Sequence, residues 1–301
     1  MRSLFASLLA LVALATASCS HADPPSHPTP APSARPVTLT YLGVAGWSLS
    51  SQAGTLLVDP YVTRAPVDDE AAPLVPDETA IAAHVPKAVD AILVGHSHYD
   101  HALDVPTIAR RTGAWVVGTD STKHLALAGG VAEGRVRVAR GGETFELGPF
   151  SVRAVRALHS LTGQPDVPIP AGVRLPLAAR DYGQGGTLQY LVRFESRSIH
   201  FVGTANFVEA ELTGLSPDVA VIAVGLRAKI PDYTCRLLRA LGQPAVVMPN
   251  HFDAFQEPLR PGHMEPDEGT RQDLDDFARE VARCSPRTRV EVPVHLRPIP
   301  I

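Results

Sequence analysis

The apolar residues of this chain fall mostly into short runs, and their spacing predicts an alternation of strands and helices. Residues 37–42 alternate apolar side chains with threonine, which is typical of a strand with one buried face. Residues 91–94 are continuously apolar, as in a strand buried on both faces. The predicted strands are 37–42, 47–50, 55–59, 91–94, 114–117, 150–155, 186–194, 198–203, 219–224, 245–248 and 289–292.

Helical spacing appears between several of these strands. Helices are predicted at 105–111, at 121–128 and from Pro231 to the glycine at 242. A last helix, with Thr270 as its N-cap, has an apolar face that includes Phe277. Short buried strands with helices between them predict an α/β fold.

Two stretches lack either period and are predicted as loops. Residues 65–86 are rich in Pro and Ala, and residues 160–186 are rich in Pro and Gly. A loop as long as the second one is usually functional or disordered in a compact domain.

Composition narrows the class of protein. The chain has 301 residues, 45% of them hydrophobic, which suits one globular domain or two small ones. The net charge is −4, from 27 Lys and Arg against 31 Asp and Glu. Nothing resembles a basic nucleic-acid footprint, so we expect no nucleic-acid partner.

The N-terminus resembles an export signal. A positive Arg2 precedes an apolar stretch, residues 4–14, that is too short to span a bilayer. Cleavage after an Ala-x-Ala site fits ordinary signal peptidase. The sequence Thr-Ala-Ser before Cys19 resembles a lipobox, in which Cys19 would be lipidated, and we favour this alternative.

These features predict a signal peptide at 1–18 and a lipidated Cys19. Residues 19–36 are polar and Pro-rich, which predicts an extended tether. The folded domain is therefore expected at 37–301, exported and anchored to a membrane by a lipid, facing the periplasm or the cell exterior.

Two cysteines lie within the predicted domain, Cys235 and Cys284. An oxidising compartment would permit a disulfide between them, and two buried free thiols are the alternative.

A cluster of ligand-type residues follows the buried strand at 91–94. His96, His98, Asp100 and His101 lie within six residues of one another. Imidazole and carboxylate are preferred ligands of zinc and similar divalent ions. Residues two apart on an extended segment point the same way, so His96 and His98 can bind one ion, and the other pair can address a second position.

This His-x-His-x-Asp-His motif resembles the signature of the metallo-β-lactamase superfamily. Asp59, His159 and His251, each at the end of an apolar strand, match further superfamily positions. The resemblance implies an α/β fold of the αββα sandwich type. Within the superfamily, the Pro-x-His-Phe-Asp form around His251 is most similar to ascorbate-6-phosphate lactonase and to phospholipase-D-like hydrolases of N-acyl-phosphatidylethanolamine.

The resemblance also implies the metal ligands. One ion would be held by His96, His98 and His159, and a second by Asp100, His101 and His251. Zinc is the expected ion, with Mn²⁺ or Fe as alternatives. Asp59 would accept a ring N–H from a metal-binding histidine and so fix the tautomer of that ring.

One position departs from the superfamily pattern. Thr204 stands where the superfamily has an aspartate that bridges the two metals. A neutral hydroxyl is a poorer ligand, so we expect either one ion or a weaker second one. Asn206 could offer an amide oxygen as a weak ligand, although its position is displaced by two residues.

The resemblance implies hydrolysis by a metal-bound hydroxide, with Asp100 orienting or deprotonating the nucleophile. In the loop at 160–186, Arg174, Arg180 and Tyr182 are candidate substrate contacts. A phosphodiester or phospholipid-like substrate is the leading hypothesis for this small-molecule or lipid hydrolase. The alternatives are a lactone or amide hydrolase, and a non-catalytic metal-binding surface lipoprotein.

Overall fold

The computed structural model describes residues 36–301. The predicted signal peptide, Cys19 and all but the last residue of the predicted tether lie outside this range. Among residues 36–301, no helix combines the length and the apolar character needed to cross a bilayer.

The described strands form two seven-stranded sheets. The first contains β1 (Thr38–Gly43), β2 (Gly46–Ser51), β3 (Gly54–Val58), β4 (Ala91–Leu93), β5 (Trp115–Gly118), β6 (Val136–Val138) and β14 (Pro298–Pro300), in the order β14-β1-β2-β3-β4-β5-β6. The second contains β7 (Thr144–Leu147), β8 (Phe150–Arg156), β9 (Leu188–Phe194), β10 (Arg197–Val202), β11 (Val219–Ala223), β12 (Val246–Asn250) and β13 (Arg289–Val290), in the order β13-β12-β11-β10-β9-β8-β7.

Each sheet is part antiparallel and part parallel. In the first, β14 and β1 to β3 pair antiparallel, and β3 to β6 pair parallel. In the second, β7 to β10 pair antiparallel, and β10 to β13 pair parallel. Parallel strands end at one edge of their sheet, where α/β proteins commonly place their ligands.

The helices are α1 (Glu78–His84), α2 (Tyr99–Ala102), α3 (Val105–Thr112), α4 (Asp120–Ala128), α5 (Glu209–Leu212), α6 (Tyr233–Ala240) and α7 (Glu268–Cys284). α1 lies within the predicted loop at 65–86, because the Asp77 carboxylate caps it by accepting from two backbone N–H groups. The N-cap predicted at Thr270 is wrong. Asp267 caps α7 three residues earlier and accepts from the Thr270 N–H at 2.8 Å.

Three apolar layers hold these elements together. One lies between the sheets and includes Trp47, Phe150 and Phe194. A second packs α1, α3 and α4 on the first sheet, and a third packs α5, α6 and α7 on the second. This helix–sheet–sheet–helix arrangement confirms the predicted αββα sandwich.

A disulfide joins Cys235 in α6 to Cys284 at the end of α7. The structure thus favours the bridge over two buried free thiols. It ties together two helices that pack on the outer face of the second sheet.

Candidate metal centre

The candidate ligands sit on loops that follow strand ends in both sheets. β4 leads through Gly95 to His96, and the short helix α2 then carries Asp100 and His101. β8 and β12 of the second sheet lead to His159 and His251. The fold brings all six candidates together as two sets of three: His96, His98 and His159, and Asp100, His101 and His251. Within each set, one ligand atom from each residue lies within 4.8 Å of the others.

The first set, called here the three-histidine group, consists of His96, His98 and His159. His96 Nε2 lies 3.0 Å from His98 Nδ1 and 3.2 Å from His159 Nε2. His159 Nδ1 lies 2.9 Å from the Ser160 carbonyl, to which it donates its proton, so its Nε2 carries the lone pair. Burial lowers the pKa of His96 and His98, and lowers that of His159 to about 4. Neutral rings are the form that binds metal.

The second set, called here the aspartate group, consists of Asp100, His101 and His251. Asp100 Oδ2 lies 3.5 Å from His101 Nε2 and 3.4 Å from His251 Nε2. Burial raises the pKa of Asp100, but the charge of His101 and the contact with His251 outweigh it, and the net pKa is lowered. Asp100 is therefore an anion at neutral pH.

Asp59, the residue expected to support a metal-binding histidine, lies next to the aspartate group. Its Oδ2 lies 3.0 Å from His101 Nδ1, and its Oδ1 accepts the Gly95 N–H at 2.6 Å. Burial lowers the pKa of His101, but Asp100 and Asp59 outweigh burial and raise it. A carboxylate at Nδ1 leaves Nε2 to face the other two candidates.

These donors fit divalent metal ions. In the three-histidine group, ring nitrogens converge at about hydrogen-bonding distance, with the lone pair of His159 directed into the cluster. A cation placed among them would satisfy these lone pairs together. Nitrogen and carboxylate donors in sets of three, with room for a further ligand, are typical of catalytic zinc sites.

A buried network around Asp253, which the sequence offers either as support for a metal histidine or as a turn cap, holds the segment after His251. The Asp253 carboxylate accepts from Tyr41 Oη and from the Val44 N–H, each at 2.7 Å. It also pairs with Arg64 at 2.5 Å and with His295 at 2.8 Å. Asp253 therefore fixes the turn after His251. No short motif could have revealed these partners, because they are far apart in sequence.

The backbone around His251 is held equally closely. Its N–H donates to the Val44 carbonyl at 2.6 Å, and its φ of 56° lies in the left-handed region. A non-glycine residue in this region is uncommon and persists where the surroundings enforce it. The bond to Val44 links the ligand loop of the second sheet to the end of β1 in the first.

Thr204 and Asn206 form hydrogen bonds to the backbone of the loop that carries His159. Thr204 Oγ1 accepts the Ser160 N–H at 3.0 Å, and the Asn206 side-chain amide donates to the His159 carbonyl at 3.0 Å. Asn206 Oδ1 accepts the Phe207 N–H at 2.9 Å. One lone pair of this oxygen is thus used by the backbone, and its role as a weak metal ligand stays a prediction.

A cavity of about 760 Å³ opens over both groups. Its polar wall includes Ser160 and Thr204, and the candidate substrate contacts Arg180 and Tyr182 also line it. Arg174 is exposed and lies outside the cavity lining, so the structure does not bring it to the site. The apolar lining consists of Val67, Tyr99, Pro165, Val167, Ala179, Leu226, Phe252 and Phe255.

The sandwich and its histidine–aspartate edge define a metal-dependent hydrolase. A family model described as the beta-lactamase superfamily domain matches residues 55–295, and the chain belongs to that superfamily. The narrower resemblance to the lactonase and phospholipase-D-like branch stays a prediction.

Individual relatives agree with this class. A UPF0173 metal-dependent hydrolase of Rubrobacter xylanophilus is 30% identical over 249 residues, which covers 81% of this chain and 89% of the relative. One from Methanopyrus kandleri is 28% identical over 246 residues, covering 81% and 90%. The structure of Igni18, a metallo hydrolase from Ignicoccus hospitalis, is similar in fold with a TM-score of 0.60 at 18% identity, covering 88% of this chain and 98% of that one.

Proposed function

We propose that this metal-dependent hydrolase cleaves a phosphodiester or phospholipid-like substrate, with zinc in one or both ligand groups. The observation that carries the proposal is the charge of the site. Of the six candidate ligands, Asp100 is the one carboxylate, and the hydroxyl of Thr204 is neutral. Even with Asp59 behind His101, two carboxylates do not neutralise the four positive charges of two divalent ions, and the remaining positive charge favours an anionic substrate.

Each residue has a defined task in this proposal. The three-histidine group and the aspartate group would hold the ions, which lower the pKa of a water and polarise the scissile group. Asp100 stays ionised at neutral pH, so its carboxylate can orient the attacking water and accept its proton. Arg180 is exposed at the cavity and is the one Lys or Arg side chain among its described lining residues. Its guanidinium can bind a phosphate through two N–H groups.

The rest of the cavity supports a substrate with an apolar part. Val67, Tyr99 and Phe255 face it together with the other apolar lining residues, so an alkyl, acyl or aryl group would be removed from water there. A lipid-like diester carries both features, a single negative charge and an apolar substituent.

The experiment is hydrolysis of an aryl phosphodiester by the zinc-loaded protein and by its Asp100→Asn variant. Loss of a positioned base typically slows a reaction by about a hundredfold or more, so we expect kcat to fall by about that factor. Asp68→Asn is the matched control, because Asp68 is an exposed aspartate in the loop at 65–86 and lies outside the cavity lining. Full activity of the Asp100→Asn variant would remove Asp100 from the chemistry. Turnover of lactones or amides but not of diesters would replace the substrate class.

We propose further that the enzyme works outside the cytoplasm, tethered through a lipidated Cys19. The Cys235–Cys284 disulfide supports an oxidising compartment, because such bonds persist in exported proteins. Expression of the full chain in a bacterial host with metabolic palmitate labelling tests the tether. The wild-type chain should carry label in the membrane fraction, and the Cys19→Ala variant should carry none. Equal labelling of both would contradict it.

A further inference from the structure

Ser160 and Thr204 form a pair of hydroxyl groups in the wall of the cavity. Their oxygens are in hydrogen-bonding contact, and each oxygen also accepts one backbone N–H group. Ser160 Oγ accepts from Ala205 at 3.0 Å, and Thr204 Oγ1 accepts from Ser160 at 3.0 Å. The pair therefore ties the loop after His159 to the turn after β10.

The pair has one more O–H hydrogen than it has acceptors within the described part of the chain. Two hydroxyls carry two hydrogens, and one of these lies between the two oxygens. Among residues 36–301, neither oxygen contacts another acceptor. One O–H hydrogen is therefore left without an acceptor among these residues, in a pair that lines the cavity and consists of the half-buried Ser160 and of Thr204, which is 3% exposed. A hydroxyl donor without a protein acceptor is available to a ligand or a water.

A second hydroxyl pair in the same protein provides a comparison. Ser285 and Thr288 lie 2.7 Å apart, and Thr288 Oγ1 also lies 2.7 Å from the Pro244 carbonyl. That pair uses both of its hydrogens within the protein. Of these two pairs, the one at the cavity has an O–H hydrogen without an acceptor in the part of the protein that the structure describes.

The cavity pair is also rigidly placed. The Asn206 side chain donates to the His159 carbonyl, and Gln189 Nε2 donates to the Asn206 carbonyl at 3.0 Å. Gln189 in turn contacts the buried ring of His200 at 2.9 Å. A donor held in this way needs no reorganisation when a substrate oxygen arrives.

We propose that the Ser160–Thr204 pair donates a hydrogen bond to the anionic oxygen of the substrate, next to the ion held by the three-histidine group. This inference rests on the proposed function and deepens it. A carboxylate at position 204 would repel such an oxygen, whereas a hydroxyl pair binds it. Thr204 thus exchanges a metal ligand for a substrate contact.

The test measures the binding of inorganic phosphate to the zinc-loaded protein by calorimetry, with metal content by plasma mass spectrometry. The Ser160→Ala/Thr204→Val double variant should bind phosphate at least about tenfold more weakly, as expected for one lost hydrogen bond to a charged group. Its metal content should match the wild type. Thr204→Ser keeps both hydroxyls and should bind as the wild type does. Ser285→Ala, in the complete pair, is the matched control.

Three outcomes would overturn the proposal. Unchanged phosphate affinity in the double variant would show that the pair does not contact the anion. Loss of zinc from that variant would show that the pair only positions His159. Both single variants are measured as well, so if the double variant does not fold, wild-type affinity in both singles contradicts the proposal.

The proposed function can fail separately. If wild-type protein neither binds phosphate nor cleaves diesters, the anionic substrate class is wrong. The same double variant is then assayed on a lactone, where an oxyanion develops during the reaction. A hydroxyl donor predicts about a tenfold or larger fall in kcat there, and an unchanged kcat overturns the donor itself.

Discussion

The three-histidine group and the aspartate group contain the same number of candidate ligands but are supported differently. Neutral contacts support the first: the Ser160 carbonyl holds the His159 ring, and the Asn206 amide holds its backbone. Charged contacts support the second. Asp100 belongs to it, Asp59 stands behind His101, and the Arg64–Asp253 pair lies beside the turn after His251.

This difference predicts unequal behaviour towards metals and protons. Neutral nitrogen donors bind a divalent ion through their lone pairs, and burial keeps them unprotonated. The aspartate group adds a full negative charge, and the same carboxylates that attract a metal ion also attract a proton to His101. Metal binding and proton binding therefore compete more strongly in the aspartate group.

Removing a ligand from the three-histidine group should have the largest effect. His96 contributes the nitrogen that lies closest to both partners, so His96→Ala should release the ion of that group. We expect turnover to fall at least about a thousandfold, equivalent to about 4 kcal/mol of activation free energy. Plasma mass spectrometry and diester hydrolysis measure the two losses.

The control for that variant is His263→Ala, which removes a histidine whose side chain is 48% exposed. If His96→Ala retained its full zinc content, the three-histidine group would not be the main metal site, and the expected difference between the two groups would be contradicted.

Asp59→Asn should act on the aspartate group alone. The asparagine oxygen can still accept the Gly95 N–H, but the negative charge behind His101 is lost. Replacing such a supporting residue typically weakens metal affinity by about 10- to 100-fold. Titration with a competing chelator should show this loss for one ion, with the other unchanged. Asp90→Asn is the control, because the Asp90 carboxylate accepts the Thr55 N–H at the opposite end of β3.

The sequence predicted the ligand set better than it predicted what holds the ligands. His96, His98 and His101 share one short motif with Asp100, and a motif is visible without knowing the fold. Arg64 and His295 meet Asp253 only because the segment after β3, the turn after β12 and the C-terminal segment converge. No local pattern encodes that meeting.

The fold shows the same division. β4, β8 and β11 were predicted correctly, because β4 and β11 lie in continuous apolar runs and β8 alternates apolar and polar residues. β6, β7 and β14 were missed, since each is short and mixes charged, polar or proline residues with its apolar ones. Thr204 was identified as a departure from the pattern, but its partner Ser160 could be found only from the hydrogen bonds.

Lowering the pH should release the metal ion of one group before that of the other. A metal ion binds neutral histidine, so a raised pKa means that protons displace the ion at a higher pH. Asp100 and Asp59 raise the pKa of His101 against burial, whereas burial lowers that of His159 to about 4. As pH falls from 7, the aspartate group should therefore release its ion first. Metal content after dialysis at stepwise lower pH measures this order, and simultaneous release would contradict it.

The disulfide should have the smallest effect on the site. The Cys235→Ser/Cys284→Ser variant frees α6 from α7, and removal of a cross-link commonly lowers the free energy of unfolding by about 2–4 kcal/mol. Both helices pack on the outer face of the second sheet, whereas His251 follows β12 and is fixed by Val44 and Asp253 at the sheet edge. Denaturant unfolding should thus show lower stability with unchanged zinc content. If zinc leaves the aspartate group but not the three-histidine group, the position of His251 depends on the outer helices, and the Arg64–Asp253 network is not sufficient to hold it.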